Sequence, residues 1–208
     1  MFNSKDFDKW SGDYDKSISP SSNEFPFIGY YDVLAYVQHQ VKPALHQKII
    51  DVGIGTALLS HEISKTGCEI YGVDFSKNMI TKAREKIPSA HLCVVDIAKD
   101  HFGEFNNLKF DRIISSYFFH HLDRNQQITF LKRSIRENLN PFGKIIIADV
   151  GLETRSSYDK AHRDFAQLWD DDEFYLCGDE IINSLNAESI HAKYTQVSSC
   201  AGVLIYPG

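Results

Sequence analysis

The stretch Ile49-Ile50-Asp51-Val52-Gly53-Ile54-Gly55-Thr56-Ala57-Leu58 decides the fold of this chain. Its apolar first half has the length of a buried strand, the two glycines make a turn, and the residues after them open a helix. Gly53 and Gly55 let the backbone turn sharply and approach a ligand with no Cβ in the way. The helix that follows points unpaired N–H groups at whatever binds. A G-x-G turn is a weak signal by itself, so the residues around it must say what it binds.

Downstream, apolar runs alternate with helical patterns. Strands are expected at Lys48–Val52, Glu69–Val73, His91–Val95, 110–115 and Lys144–Val150. Between them lie helices over Ala57–Lys65, from Ser76 to Lys86, and over Asn125–Leu139, with Asn140-Pro141-Phe142-Gly143 as a turn. Strand and helix in alternation imply a parallel sheet covered on both faces, with right-handed crossovers. The rhythm breaks in the last 55 or so residues, where helices at Thr154–Leu168 and Asp179–Leu185 precede strands at Ala192–Val197 and Ala201–Tyr206. The link between those two strands is too short for a parallel crossover, so they should pair antiparallel. Upstream, Phe7, Trp10 and Tyr14 recur at helical spacing, and a second helical stretch carries Tyr30, Tyr31, Leu34 and Val37. The 208 residues read as a single domain: a helical lid over 1–45, a cofactor-binding core over 46–150, and an acceptor-pocket segment with the last strands over 151–208.

Composition narrows the class. Hydrophobic residues make up 43% and charged residues 24%, ordinary proportions for a globular domain, and the net charge is −6. A nucleic-acid binder usually carries a basic stripe, so no nucleic-acid partner is expected. Cys68, Cys93, Cys177 and Cys200 form no C-x-x-C pair, which suggests free thiols. No apolar run has the length of a membrane span and the N-terminus has no apolar signal core. A cytoplasmic location with no membrane partner is the expectation.

In an open parallel sheet, ligands bind beyond the C-terminal ends of the strands. Asp51, Asp74, Asp96, the pair His120-His121 and Asp149 all fall at or near such ends. Asp74, about 20 residues past the glycine turn, is placed to accept both ribose hydroxyls and to disfavour a 2′-phosphate. Asp96 can accept from an adenine amino group, with Ile97 flanking the ring. Each of these carboxylates also has a plainer role, capping the helix that follows it.

Taken together, Asp51-Val52-Gly53-Ile54-Gly55-Thr56, Val73-Asp74-Phe75-Ser76, Val95-Asp96-Ile97, Phe110-Asp111 through His121-Leu122, and Gly143-Lys144-Ile145-Ile146-Ile147-Ala148-Asp149 resemble the motifs of the class I S-adenosylmethionine-dependent methyltransferases, and within them small bacterial proteins of the YrrT type. The resemblance implies an α/β fold with a Rossmann-like, seven-stranded, mostly parallel sheet, an antiparallel C-terminal strand and helices on both faces. It implies S-adenosyl-L-methionine as co-substrate, bound by Asp51, Gly53, Gly55, Asp74, Phe75, Asp96, Ile97, Tyr14 and Ser115. Asp51 and the Gly53 backbone would meet the methionyl ammonium, and the helix N-terminus would favour its carboxylate. Tyr14, with Tyr30 and Tyr31, would line a lid whose ring faces suit a sulfonium. One departure from the family pattern is Ala57, where a third glycine is usual.

The expected reaction moves a methyl group to an oxygen, nitrogen or sulfur of a small molecule. His121, by family position ahead of His120, is the candidate general base, although positioning and desolvation alone can carry such a transfer. No metal is expected, because adjacent histidines point in different directions and no cysteine stands near. Asp170-Asp171-Asp172-Glu173 reads as a solvated acidic run. Tyr158, His162, Trp169 and Tyr175 are expected to shape the acceptor pocket. Two alternatives share the same turn: a non-catalytic S-adenosylmethionine-binding regulatory or partner protein, and an NAD-dependent oxidoreductase, against which Leu58 counts because a dinucleotide site wants glycine or alanine there.

Overall fold

The computed structural model describes residues 24–207. Its framework is one sheet, built from β1 (Lys48–Val52), β2 (Glu69–Asp74), β3 (His91–Val94), β4 (Phe110–Ser116), β5 (Leu139–Leu152), β6 (Leu176–Cys177), β7 (Lys193–Gln196) and β8 (Ala201–Pro207). The order across the sheet is β3-β2-β1-β4-β5-β8-β7, with the two-residue β6 alongside the end of β5. Strands β3, β2, β1, β4 and β5 run parallel, and β8 lies antiparallel to both β5 and β7. This is the seven-stranded, mostly parallel sheet with an antiparallel C-terminal strand that the sequence pattern implies, plus one short extra strand.

Alternation along the strands sorts side chains to two cores. Ile49, Ile114 and Ile146 face one, while their neighbours Ile50, Ile113 and Ile145 face the other. The first core is covered by α1 (Tyr30–Val41), α2 (Leu58–Ser64) and α3 (Lys77–Lys86), through residues such as Val37, Ile63 and Ile80. The second is covered by α4 (Arg124–Arg133), which contributes Phe130 and Leu131, and by α6 (Gly178–Ala187), which contributes Ile181 and Leu185. Helix α5 (Arg155–Asp164) follows β5. Ser76 caps α3 by accepting from the Met79 N–H, and Asp123 and Gln126 form a capping box that starts α4.

Several boundaries differ from the periodicity, among them the end of α5, which stops at Asp164 short of the expected Leu168. The helix expected to reach Leu139 ends as α at Arg133 and continues through a wide π turn, Ser134–Asn138. There the buried Asn138 amide donates to the Asn106 and Leu108 carbonyls, a better use of its two N–H groups than a regular helix surface offers. The turn Asn140–Gly143 is a bulge within a longer β5: Leu139 pairs with Phe110 and Lys144 with Arg112, so four residues loop out opposite Asp111. Asp111 holds that bulge, accepting from the Asn140 amide at 2.9 Å and from the Lys48 N–H at 2.9 Å. Of the segment expected as a lid, residues 1–23, Tyr14 among them, lie outside the described residues; Val33, Val37 and Val41 of α1 are fully buried. All four cysteines are free thiols, and no helix among the described residues is long and apolar enough to cross a membrane.

Candidate active site

The turn after β1 is built from left-handed backbone: Gly53, Gly55 and Ala57 have φ of 72°, 54° and 62°. The N–H groups of Gly53 and Ile54 both donate to the Val73 carbonyl, at 2.8 and 3.1 Å, which fixes the turn against β2. Asp74, at the end of β2, then holds it from below. One carboxylate oxygen accepts from Gly55 N–H at 2.9 Å and the other from Ser76 N–H at 2.8 Å. A Cβ at Gly53 would come within 2.2 Å of the Phe118 ring, so only glycine fits beneath it. At Gly55 a Cβ would meet nothing closer than the Gly53 carbonyl at 4.0 Å among the described residues, so none of these fills that side of the turn.

Asp51 shares its face of the sheet with Ile49 and so points at α2, where the Ser60 hydroxyl donates to Oδ2 at 2.6 Å. Its Oδ1 is buried and has no hydrogen-bond partner among the described residues. Burial pushes this carboxyl up to about 7, an effect partly opposed by Ser60 and reinforced by the charge of Asp74. A positively charged donor beside Oδ1 would satisfy the orphaned acceptor and restore the anion. An amino-acid ammonium is such a donor.

The remaining predicted cofactor residues fall around the same edge. The Val95 N–H donates to the Asp74 carbonyl at 2.8 Å, which brings the end of β3 beside the end of β2. Asp96 begins a single helical turn, accepting from Ala98 N–H, and pairs with Lys99 Nζ at 2.6 Å, while Ile97 is buried behind it. Phe75 is half-buried next to Asp74. Ser115 is fully buried, and its hydroxyl donates to the Val52 carbonyl at 2.8 Å, across the register that pairs the two residues. That bond ties β4 to β1 at the foot of the turn. Tyr14 lies outside the described residues.

The histidines occupy a 3₁₀ turn, Phe119–His121, beyond β4. His120 is anchored twice to Asp149 of β5: its N–H donates to Oδ2 at 3.0 Å, and Nδ1 lies 2.5 Å from Oδ1. Val150 N–H adds a third bond to the same carboxylate at 2.7 Å. The far nitrogen of His120, Nε2, is 3.5 Å from Glu173 Oε1, and His121 Nδ1 is 3.7 Å from that same oxygen. The two imidazole centroids are 4.1 Å apart, so the rings converge on Glu173 despite being neighbours in sequence. Burial works against a charged His120, but Asp149, with Glu173 and Asp170 behind it, outweighs burial and raises its affinity for a proton. Burial and the adjacent His120 push His121 down to about 3. Glu173 is raised, chiefly by burial.

Phe118 links the two halves. The ring that covers Gly53 also stands edge-on to His121, with centroids 5.8 Å apart. Of the expected acceptor-pocket aromatics, Tyr158 and His162 both pack edge-on against Trp169, at 5.1 and 5.0 Å. Trp169 packs edge-on against Tyr175 at 4.8 Å, and Tyr175 lies 5.9 Å from His120. They form a continuous aromatic wall that ends at the histidines. Glu173 is the residue sequence reasoning missed, hidden in a run where Asp171 is 86% exposed while Glu173 itself is only 15% exposed. The one available signal was the apolar Phe174-Tyr175-Leu176 that follows and draws the chain inward.

Residues 45–199 match the family model described as a methyltransferase domain. An uncharacterized methyltransferase of Alkaliphilus oremlandii is 32% identical over 71% of this chain and 67% of its own. One of Bacillus mycoides is 27% identical over 95% of this chain and 94% of its own. Among solved structures, magnesium protoporphyrin IX methyltransferase from Synechocystis, with S-adenosylhomocysteine bound, superposes with a TM-score of 0.73 at 15% identity, over 98% of this chain and 96% of that one. With its glycine turn, sheet order and a family match over most of its length, the chain belongs to the methyltransferase domain family, as a class I protein of the kind whose co-substrate is S-adenosylmethionine.

Proposed function

We propose that this protein transfers the methyl group of S-adenosylmethionine to an oxygen, nitrogen or sulfur nucleophile of a small molecule, at the crevice between the glycine turn and the histidine pair. The observation that carries the cofactor half is Asp51 Oδ1, a buried acceptor with no partner among the described residues, beside a turn whose Gly55 side none of them fills. The co-substrate's ammonium supplies the missing donor, and the residues present fit it. Asp74, which holds the turn by accepting from the Gly55 and Ser76 N–H groups, takes the ribose hydroxyls. Asp96 and Ile97 take the adenine, with Phe75 beside the ribose and Ser115 holding β4 at its foot.

The bound co-substrate supplies a methyl on a good sulfonium leaving group. An acceptor lone pair forms the new bond to that carbon as the carbon–sulfur bond breaks, which leaves S-adenosylhomocysteine, and the acceptor's proton passes to solvent. Most of the barrier is met by aligning acceptor and methyl and excluding water. His121 and His120 stand one ring away from the glycine turn, on the acceptor side. Support for a small acceptor comes from the net charge of −6 and from the aromatic wall that ends at the histidines. Titration calorimetry with S-adenosylmethionine and S-adenosylhomocysteine tests the cofactor half; a folded protein that binds neither overturns it. A screen of small amines, thiols, carboxylates and phenols, read by S-adenosylhomocysteine release, tests the acceptor half. Release only with nucleic acid or protein acceptors would overturn that half.

A further inference from the structure

We propose that His120, His121 and Glu173 form a binding site for one divalent transition-metal ion of the zinc class, on the acceptor side of the crevice. One ligand atom from each of the three lies within 4.8 Å of the other two, and the nitrogens that face Glu173 Oε1 are Nε2 of His120 and Nδ1 of His121. The two nitrogen–oxygen separations, 3.5 and 3.7 Å, are long for hydrogen bonds. They are close to the ~3.3 Å between two ligands bound tetrahedrally to zinc at about 2.0–2.1 Å. Consecutive side chains diverge, and these two converge because one offers its distal nitrogen and the other its proximal one.

The outer shell is built as well. A ligating histidine almost always passes its other ring N–H to a carboxylate or carbonyl, which fixes tautomer and ring direction. Asp149 does this for His120, at 2.5 Å from Nδ1, and is itself held by Val150 N–H. Gln127 donates to the Phe119 and Phe174 carbonyls, and Phe174 N–H donates to the His120 carbonyl at 2.8 Å, so the loop bearing Glu173 is tied to the histidine turn. The three side chains are 10%, 18% and 15% exposed, sheltered yet reachable. Two histidines and one carboxylate with a position left open is the ligand set of a catalytic metal site, and closed structural sites use four protein ligands.

The use of the ion, though not its binding, rests on the methyl-transfer reading. An ion there would ligate an acceptor thiol, phenol or hydroxyl, lower its pKa so that the proton leaves to water, and hold the resulting anion toward the methyl group. The acceptor class narrows to compounds that can ligate a metal through the atom to be methylated.

The test is titration of metal-depleted full-length protein with Zn²⁺ by calorimetry and with Co²⁺ by visible absorption, beside a separate titration with S-adenosylhomocysteine. One ion per chain is expected, with cobalt bands of a nitrogen and oxygen site and no thiolate charge-transfer band. Glu173→Gln and His121→Ala should each weaken the ion at least tenfold, and Asp149→Asn about 10–100-fold through the outer shell, with S-adenosylhomocysteine affinity unchanged in Glu173→Gln. A thiolate band, an ion whose affinity ignores all three substitutions, or no ion bound by protein that binds S-adenosylhomocysteine would overturn the site. Zinc binding with the stated losses in a protein that does not bind S-adenosylhomocysteine would uphold the site and overturn the cofactor reading instead.

Discussion

Two aspartates, Asp51 and Asp149, are almost equally buried, at 2% and 0% exposure, and lie on opposite faces of the sheet in strands separated only by β4. Asp149 is complete: the His120 ring, the His120 N–H and the Val150 N–H together occupy both of its oxygens. Among the described residues Asp51 has a hydrogen bond from Ser60 and one oxygen without a partner. A buried carboxylate that lacks partners is an unstable element of a fold, and it persists where something outside the chain completes it. The histidine side is thus held together by the protein's own charges, and on the proposed reading the Asp51 side is finished by its ligand.

That contrast is broken most directly by removing each carboxylate. Asp149→Ala strands the buried His120 ring and two backbone N–H groups, so a loss of about 3–5 kcal/mol in unfolding free energy is expected by urea titration. A loss below about 1 kcal/mol would mean that Asp149 is not what holds the histidine turn. Asp51→Asn has the opposite sign. It keeps an oxygen for Ser60 and removes a carboxyl whose ionisation burial opposes, so at about pH 8 the ligand-free protein should gain about 2 kcal/mol, seen as a higher Tm. The same variant should bind S-adenosylhomocysteine at least about tenfold more weakly, because a charge-assisted bond to the ammonium is gone.

The pH dependence sharpens the point. Asp51 titrates near 7 in the folded chain, against 3.8 for the ordinary side chain. Between those values the folded state binds a proton that the unfolded state has released, so this group's contribution is full below about pH 4, falls as pH rises toward about 7, and is flat above that. Ligand affinity should run the other way: S-adenosylhomocysteine should bind roughly tenfold more tightly at pH 8 than at pH 6, as the carboxylate forms. Asp51→Asn should flatten both curves, and a wild-type slope retained in that variant would assign the titration to another group. Asp74→Ala should weaken the ligand by roughly 1–3 kcal/mol, since it removes the ribose acceptor and releases the Gly55 and Ser76 N–H groups. Unchanged affinity by calorimetry would remove Asp74 from the site.

The two sides were also unequally legible. The residues proposed for the cofactor lie in short contiguous motifs because backbone turns demand particular residues locally: Gly53 must be glycine beneath Phe118, and Asp74 must follow its strand to reach Gly55 N–H. The histidine side is assembled from positions 120, 149 and 173, on three separate elements, and no local rule joins them. Glu173 was submerged in a run of acids, and β6, which draws it inward, is only two residues long, too short for alternation to reveal. The sheet itself was readable almost throughout, since each central strand sends alternate apolar side chains to two cores. The exception, the bulge at 140–143, looked like a turn because its composition is that of a turn, and only the pairing on either side shows that the strand resumes.

The smallest expected effect concerns the cofactor side's own backbone. Ala57 stands at φ 62°, ψ 33°, a left-handed conformation in which its Cβ crowds the following carbonyl at a cost of about 1–2 kcal/mol. It sits just ahead of α2, where the family pattern has glycine. Ala57→Gly relieves that strain but gives back a little buried methyl surface and loosens the unfolded chain, so a net gain of about 0.5–1 kcal/mol is expected from urea titration. Because the turn already holds this geometry through Gly53, Ile54 and Asp74, S-adenosylhomocysteine affinity should change less than about twofold, within the few tenths of a kcal/mol to which separate sites usually add. A large gain in affinity would show that the alanine side chain presses on the ligand. A loss of stability would show that the methyl packing against the first core outweighs the strain, and that this turn is held in its left-handed form by the core as well as by Asp74.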